Sequence, residues 1–384
     1  PDYMRVGEIA RKIGAETISA FTATATAEVR ADIIRLLGIP SANTWVFGFH
    51  RHNLRLDVVH VSSLREKVLL LERYLRARSA APGIIYCATR KHVEKVAMLL
   101  GPDGCGFSVD RYHGGLNERE RRDVQERFMS GKTRVMVATN AFGMGVDRSD
   151  LRFVVHFEVP GSIEAYYQET GRAGRDGLPS NAYMIYGMED AAMQRNWIEN
   201  SESPEIQKRI EHQKLNALLG LCEAAICRRQ VLLEYFDDSG EPCGNCDTCD
   251  TKPQTFDGTT PAQMALSAVY RTGQRFGMVY VVDVLMGIAD QRIIQFGHDQ
   301  QSTFGIGKEW SKPEWQNIFR QLVSRNLLMV DVNEYNGIKI TEKGFAFLKR
   351  KESIDFRKLS VKQKARKEKA KRRSKPVLED EDDQ

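Results

Sequence analysis

The chain has no run of about 18 consecutive apolar residues, so its 42% hydrophobic content does not come from a membrane-spanning helix. No signal peptide is expected either. The opening PDYMRVGEIARKIGA reads as an amphipathic helix, not as a basic stretch followed by an apolar one. An initiator Met is missing, and the abrupt start is that expected of a fragment. A surplus of one charge is lacking as well, despite a formal net charge of +5. Residues 357–375 hold eleven Lys or Arg against one Glu, and Glu379–Asp383 is five consecutive acids. Setting these aside from totals of 56 and 51 leaves 45 of each sign, so the folded part is neutral. Nucleic-acid binding must then be argued from local arrangement and not from the isoelectric point. The basic-then-acidic tail, residues 351–384, is expected to be disordered, adding salt-sensitive phosphate attraction or simply solvated charge.

A phosphate loop is also absent. Ser130-Gly131-Lys132-Thr133 mimics the end of one, but Glu126 stands where the first glycine is required. The order is wrong too, because a helix here runs into a strand. Asn117 and Glu120 form a capping box that opens this helix, and Gly131 closes it.

What the chain does have is concentrated at 134–177. Arg134–Ala138 and Phe153–Phe157 are short apolar, β-branched runs of the kind found in buried parallel strands. After the first comes a loop spaced by Gly143 and Gly145, where backbone can approach a partner closely. After the second comes a helix punctuated by Gly171, Gly174 and Gly177. Arg172 and Arg175 are three apart, which puts both guanidinium groups on one face if the helix continues. Such a pair suits the charge of a transferring phosphoryl group; a solvated Arg/Asp turn is the plainer alternative.

From Gly83 to Gly187 strands and helices alternate: GIIYCAT, helix 91–100, FSVDRY, helix 117–130, VMVAT, FVVHF, helix 162–171 and AYMIY. That rhythm predicts a doubly wound α/β fold, a parallel sheet covered on both faces. Ligands of such sheets sit at the strand C-terminal ends, where Thr89, Arg90, His113, Gly114 and Thr139 fall. Upstream, a helix, a strand at Thr17–Phe21 and a helix closed by Gly38 are expected, with Thr26 as N-cap.

Cys227-x15-Cys243-x2-Cys246-x2-Cys249 offers four thiolates with a spacing that suits tetrahedral Zn²⁺, and Gly244 permits the tight turn. Two disulfides are the rival, opposed by the further unpaired Cys87 and Cys105. Cys222 lies about 140° around a helix from Cys227 and is left out. Phe256–Gly258 reads as a linker, and Thr260-Pro261 opens a helix. The capping box Ser311–Glu314 starts another, with Trp315, Ile318, Phe319, Leu322 and Val323 on its apolar face. LLMVDV and GIKIT then flank Asn336-Gly337, a hairpin signal. Helices followed by a two-stranded wing predict a winged-helix domain, which docks on DNA or on protein.

AFGMGV, YYQETGRAGRDG, IIYCATRK and YHGGL together resemble the second motor domain of a RecQ-family DNA helicase, and the similarity runs to about residue 350. The resemblance implies the end of a first RecA-like motor domain at 1–50 and a second RecA-like domain at 51–200. A helical zinc-binding module at 201–255 and a winged helix at 256–350 would follow. FTATAT resembles the family's motif that relays nucleotide state to DNA, though its Thr-rich turn serves equally as a helix cap. It implies an ATP-dependent, 3′-to-5′ DNA helicase of recombination, repair and replication, with Mg²⁺ and the phosphate loop held upstream of Pro1. Arg172 and Arg175 would complete the ATP site, and Gly143, Gly145, Asp147 and Gln168 would couple it to DNA. Thr89, Arg90, His113, Gly114 and Thr139 would lie along the DNA track. The partners implied are DNA with single-strand/duplex junctions and a single-stranded-DNA-binding protein. The expected state is a monomer in the cytoplasm, associated with the nucleoid. The principal rival is a shortened paralogue that docks on DNA without turning over ATP. An RNA helicase is a third reading, disfavoured by the cysteine-plus-winged-helix ending.

Overall fold

The computed structural model describes residues 5–358 except 23, 47, 62, 144, 145, 332–336 and 351. The chain divides into two compact units, 1–250 and 251–384.

The first unit begins with α1 (Val6–Lys12) and α2 (Ala27–Leu37). Thr26 caps α2 as expected, accepting from the Val29 N–H at 3.4 Å, and Gly38 ends it in the left-handed conformation. The strand expected at Thr17–Phe21 does not form. The segment has no regular structure, no described strand pairs with it, and Phe21 is almost fully exposed.

The sheet follows, with β1 (Leu54–His60), α3 (Leu64–Arg76), β2 (Gly83–Tyr86), α4 (Arg90–Leu100) and β3 (Val109–Tyr112). Next come α5 (Glu118–Met129), β4 (Val135–Ala138), β5 (Phe153–His156), α6 (Ile163–Thr170) and β6 (Ser180–Tyr186). All six strands are parallel, in the order β1-β6-β5-β2-β4-β3. Composition explains that order. GIIY, VMVA and FVVH are buried at every position, as the centre of a sheet covered on both faces requires. LRLDVVH alternates buried and half-buried residues, and it lies at an edge. β1 and α3 extend the sheet beyond the segment expected to hold it.

One buried ion pair ties the layers together. Lys67 on α3 donates to Asp190 of α7 (Met188–Glu199) and to the Phe157 carbonyl, both at 2.6 Å. Burial pushes the Asp190 carboxyl up to about 6, and the Lys67 ammonium works against that rise. Lys67→Ala leaves a buried carboxylate and a carbonyl without their cation. A loss of about 3–5 kcal/mol is therefore expected, read as a lowered midpoint in urea unfolding. Wild-type stability would show that the pair carries no net weight.

The unit closes with α8 (Glu205–Glu223), α9 (Arg228–Tyr235) and the short α10 (Asp247–Asp250).

The second unit runs β7 (Thr255–Asp257), α11 (Thr259–Arg271), α12 (Met278–Met286), α13 (Gln291–Gln295), α14 (Lys312–Ser324), β8 (Leu328–Asp331), β9 (Gly337–Ile340), α15 (Glu342–Arg350) and β10 (Asp355–Arg357). The capping box at Ser311–Glu314 is present, and Trp315, Ile318, Phe319, Leu322 and Val323 form the core as expected. Several sequence expectations need correction. The stretch read as a linker is strand β7, paired antiparallel with β10 through Phe256 and Phe356. Asp355–Arg357, expected to belong to a disordered tail from residue 351, is instead strand β10. Phe356 is fully buried, and Gln321 grips the Arg357 backbone, accepting from its N–H at 2.8 Å and donating to its carbonyl at 2.9 Å. Pro261 lies two residues inside α11, which starts at Thr259. The β8–β9 register pairs Asp331 with Gly337, so Gly337 belongs to a strand and not to a two-residue turn. Asn336 and residues 359–384 lie outside the described residues.

Candidate functional site: an arginine turn and a zinc centre

Because the sheet is parallel, its functional loops gather at one end. The chain passes from β2 outward to β3, returns to β4 beside β2, and then crosses to β5 on the other side of β2. That reversal leaves a crevice outside the strand C-termini, where α/β sheets bind ligands.

Arg172 and Arg175 reach this crevice, but not as a helical pair. α6 stops at Thr170, and the chain turns left-handed at Gly174 and Gly177, with φ of +63° and +82°. The two arginines sit in that turn, not on one helical face. They converge all the same on the loop after β4. Arg172 donates to the Gly143 carbonyl, while Arg175 bonds Asp147 at 2.7 Å and the Val146 carbonyl at 3.2 Å. The loop passes close there, and a Cβ at Gly143 would press at 3.1 Å on both the Arg172 guanidinium and the Asn140 carbonyl. Gly145 lies outside the described residues.

Two residues that sequence reasoning missed build the turn. Arg51 donates to the carbonyls of Gly171, Ala173 and Gly174, at 3.4, 3.2 and 2.9 Å. Asn53 donates to Gly174 and Leu178 at 2.8 and 3.0 Å. The one local signal was the polar HRHN stretch just before β1. Gln168, on α6, donates to the Thr24 hydroxyl at 3.0 Å and so joins the arginine segment to FTATAT.

The residues read as a DNA track also come together, at the ends of the adjacent strands β2, β4 and β3. Thr89 caps α4, accepting from the His92 N–H at 3.1 Å. The Arg90 guanidinium lies over Gly114 and Gly115. Thr139 is nearly buried, and its N–H donates to Tyr112. His113 is buried with both ring nitrogens committed. Nδ1 accepts from the Gly115 N–H at 3.1 Å, which leaves Nε2 to carry the proton toward Glu94 at 2.8 Å. Burial works to raise Glu94, but His113 and Arg111 outweigh it and hold that carboxyl below its ordinary value. His113 thus orients the glycine loop and does not itself face solvent.

The four cysteines converge as their spacing predicts. The Sγ atoms of Cys227, Cys243, Cys246 and Cys249 all lie within 4.8 Å of one another. Cys227 is 3.5 Å from Cys243 and 3.9 Å from Cys246. A tetrahedron with Zn–S bonds of about 2.3 Å has S···S edges of roughly 3.8 Å, whereas a disulfide needs about 2.05 Å. The donor set fits structural zinc. Burial raises the Cys227 thiol, but the backbone N–H groups of Cys243 and Gln230 outweigh it and bring the thiol down to about 7, favouring the thiolate. Gly244 supplies the left-handed turn, with φ of +60°. Cys222 points elsewhere, its sulfur 3.3 Å from that of Met184.

The zinc loop is fastened to the motor sheet. Fully buried Arg228 bonds Asp247 at 2.7 and 2.9 Å and the Cys222 carbonyl at 3.1 Å. Its neighbour Arg229 donates to the Leu54 carbonyl, and the Leu56 N–H donates to Asn245 at 3.3 Å.

In the second unit, α14 is buried on nearly every side. It is the core helix of the winged-helix fold and has no free face to lay in a groove.

These features define a class: the C-terminal region of a helicase motor, followed by a zinc centre and a winged helix. The chain belongs to the RecQ family. It matches the helicase conserved C-terminal domain at residues 66–177, the RecQ zinc-binding family at 188–250 and the RQC domain at 252–365. It is 40% identical to an ATP-dependent DNA helicase RecQ of Pasteurella multocida, over 93% of this chain and 56% of that protein. The Bacillus subtilis ATP-dependent DNA helicase RecQ is 36% identical, over 92% of this chain and 59% of that one. The RecQ-like DNA helicase blm-1 of Caenorhabditis elegans is 31% identical, over 84% and 34%. The chain thus spans little more than half the length of its bacterial relatives. Among the described residues no helix is long and apolar enough to cross a membrane.

Proposed function

We propose that this chain is the strand-engaging part of an ATP-dependent, 3′-to-5′ DNA helicase that works at single-strand/duplex junctions in recombination, repair and replication. The observation that carries this reading is the convergence of Arg172 and Arg175 on the Gly143–Asp147 loop, in the crevice beside the Thr89, His113 and Thr139 loops. ATP with Mg²⁺ would supply the phosphoryl group whose hydrolysis drives movement, held by a phosphate loop outside this chain. The two arginines differ in readiness. Arg175 pairs with an 86% exposed Asp147, an interaction worth about 0–1 kcal/mol, so a phosphate can displace it. Arg172 is half-buried on a backbone carbonyl and holds the loop in place. Gln168 would pass the change to FTATAT through Thr24. Backbone and hydroxyl groups at Thr89, Gly114 and Thr139, with the Arg90 guanidinium, suit phosphate contacts that read no sequence. A monomer acting in the cytoplasm on the nucleoid, with a single-stranded-DNA-binding protein as partner, fits the same reading.

Phosphoryl transfer needs a phosphate cradle and a metal site that these residues do not include, whereas phosphate contacts need neither. Residues 1–384 alone are therefore expected to bind partly single-stranded DNA, less tightly as salt rises, without DNA-stimulated ATP hydrolysis. Fluorescence anisotropy across a salt series and a phosphate-release assay check both halves. Clear ATP turnover by the isolated chain would refute the division of labour. Failure to bind at low salt would refute the DNA track.

A further inference from the structure

Tyr86, the last residue of β2, stands where the chain reverses across the sheet and is only 4% exposed. Its hydroxyl donates to the Phe142 carbonyl at 2.9 Å, one residue before the Gly143 carbonyl that Arg172 holds. The Arg172 guanidinium is near enough to act on the phenol through its charge. Burial pushes the phenol well above its ordinary range, which keeps the donating proton in place.

Packing fixes both sides of this contact. The Phe142 ring is wedged between Tyr112 and Phe128, with centroids 4.8 and 5.7 Å away, so its carbonyl direction is set. The Tyr86 ring stacks on His156 at 5.8 Å, and His156 bonds Glu169 at 2.7 Å. Glu169 lies three residues before Arg172 on the same segment. The tyrosine therefore touches the loop after β4 through its oxygen and reaches the end of α6 indirectly, its ring on His156 and His156 on Glu169.

We infer that Tyr86 is a positioning residue of the motor, a hub that sets the Gly143–Asp147 loop and Arg172 relative to each other. The proposal rests on the helicase reading above. In its absence both groups stay present but lose their common anchor. The loss should then appear in turnover, not in binding of nucleotide or DNA.

The test is Tyr86→Phe, which keeps the ring and removes only the oxygen. In the longer protein that carries the phosphate loop, kcat for DNA-stimulated ATP hydrolysis is expected to fall at least tenfold, with KM for ATP and DNA affinity nearly unchanged. Arg172→Ala combined with Tyr86→Phe should be no slower than Arg172→Ala alone, because the tyrosine acts through the arginine. A kcat within twofold of wild type, or effects that multiply in the double variant, would overturn the proposal. A second measurement needs no ATPase. In the 384-residue chain, amide exchange of Phe142 and Gly143 should quicken in Tyr86→Phe while that of β2 does not. Unchanged exchange overturns the hub even if the helicase reading fails, and a wild-type protein without ATP turnover overturns that reading alone.

Discussion

Arg175→Ala in the longer protein is expected to lower ATP turnover by about 10³-fold while leaving DNA affinity nearly intact, the scale of effect seen when a charge-stabilising arginine is lost from a phosphoryl-transfer site. The expectation comes from geometry. The guanidinium is half-exposed, and its partner Asp147 competes weakly for it. It makes no contact that holds the sheet together, so folding should survive the change. Steady-state ATPase measurements with and without DNA, alongside DNA binding by anisotropy, separate the outcomes. Wild-type turnover would remove Arg175 from the site. Equal loss of turnover and DNA binding would mean that the turn serves the DNA track instead. Arg172→Ala should also lower turnover, but with a loosened loop, since that half-buried side chain is bonded to backbone and not to an exposed carboxylate.

Cys246→Ser is expected to empty the zinc centre and to destabilise the first unit as a whole. Structural zinc in small peptides contributes roughly 10–16 kcal/mol, and apo forms of such sites are unfolded or loosened. Here the cost should spread, because the loop is joined to β1 through Leu56 and Leu54. Metal analysis should give one zinc per chain in the wild type and far less in the variant, with a lowered melting temperature. Disulfides and no metal in protein purified without reductant would overturn the assignment.

The sequence was legible where one residue type has few uses at a given spacing. Four cysteines in that pattern have few alternatives, and they converge. Central strands such as VMVA could be read because burial on both faces demands unbroken apolar runs. Edges were harder. β1 alternates weakly and was not anticipated, and Thr17–Phe21 has the composition of a strand but no pairing neighbour among the described residues. β7 is three residues long and exists only because β10 returns to it about a hundred residues later. The arginine turn shows the same limit. RAGR announced its charge, yet Arg51 and Asn53, which shape it, lie more than a hundred residues upstream. Nothing local in HRHN names the carbonyls it serves.

The seam between the zinc loop and β1 also bears on solubility. β1 ends the sheet, and the outward groups of an edge strand can pair with any extended chain that meets them. In this protein the loop held by the metal occupies that position, taking the Leu56 N–H and, through Arg229, the Leu54 carbonyl. A chelator would therefore do more than loosen a small module. It would uncover an edge strand whose buried face is Leu54, Leu56 and Val58, ready to join the same strand of a second molecule. Zinc-depleted protein should then be lost to self-association through this rim before the sheet itself melts.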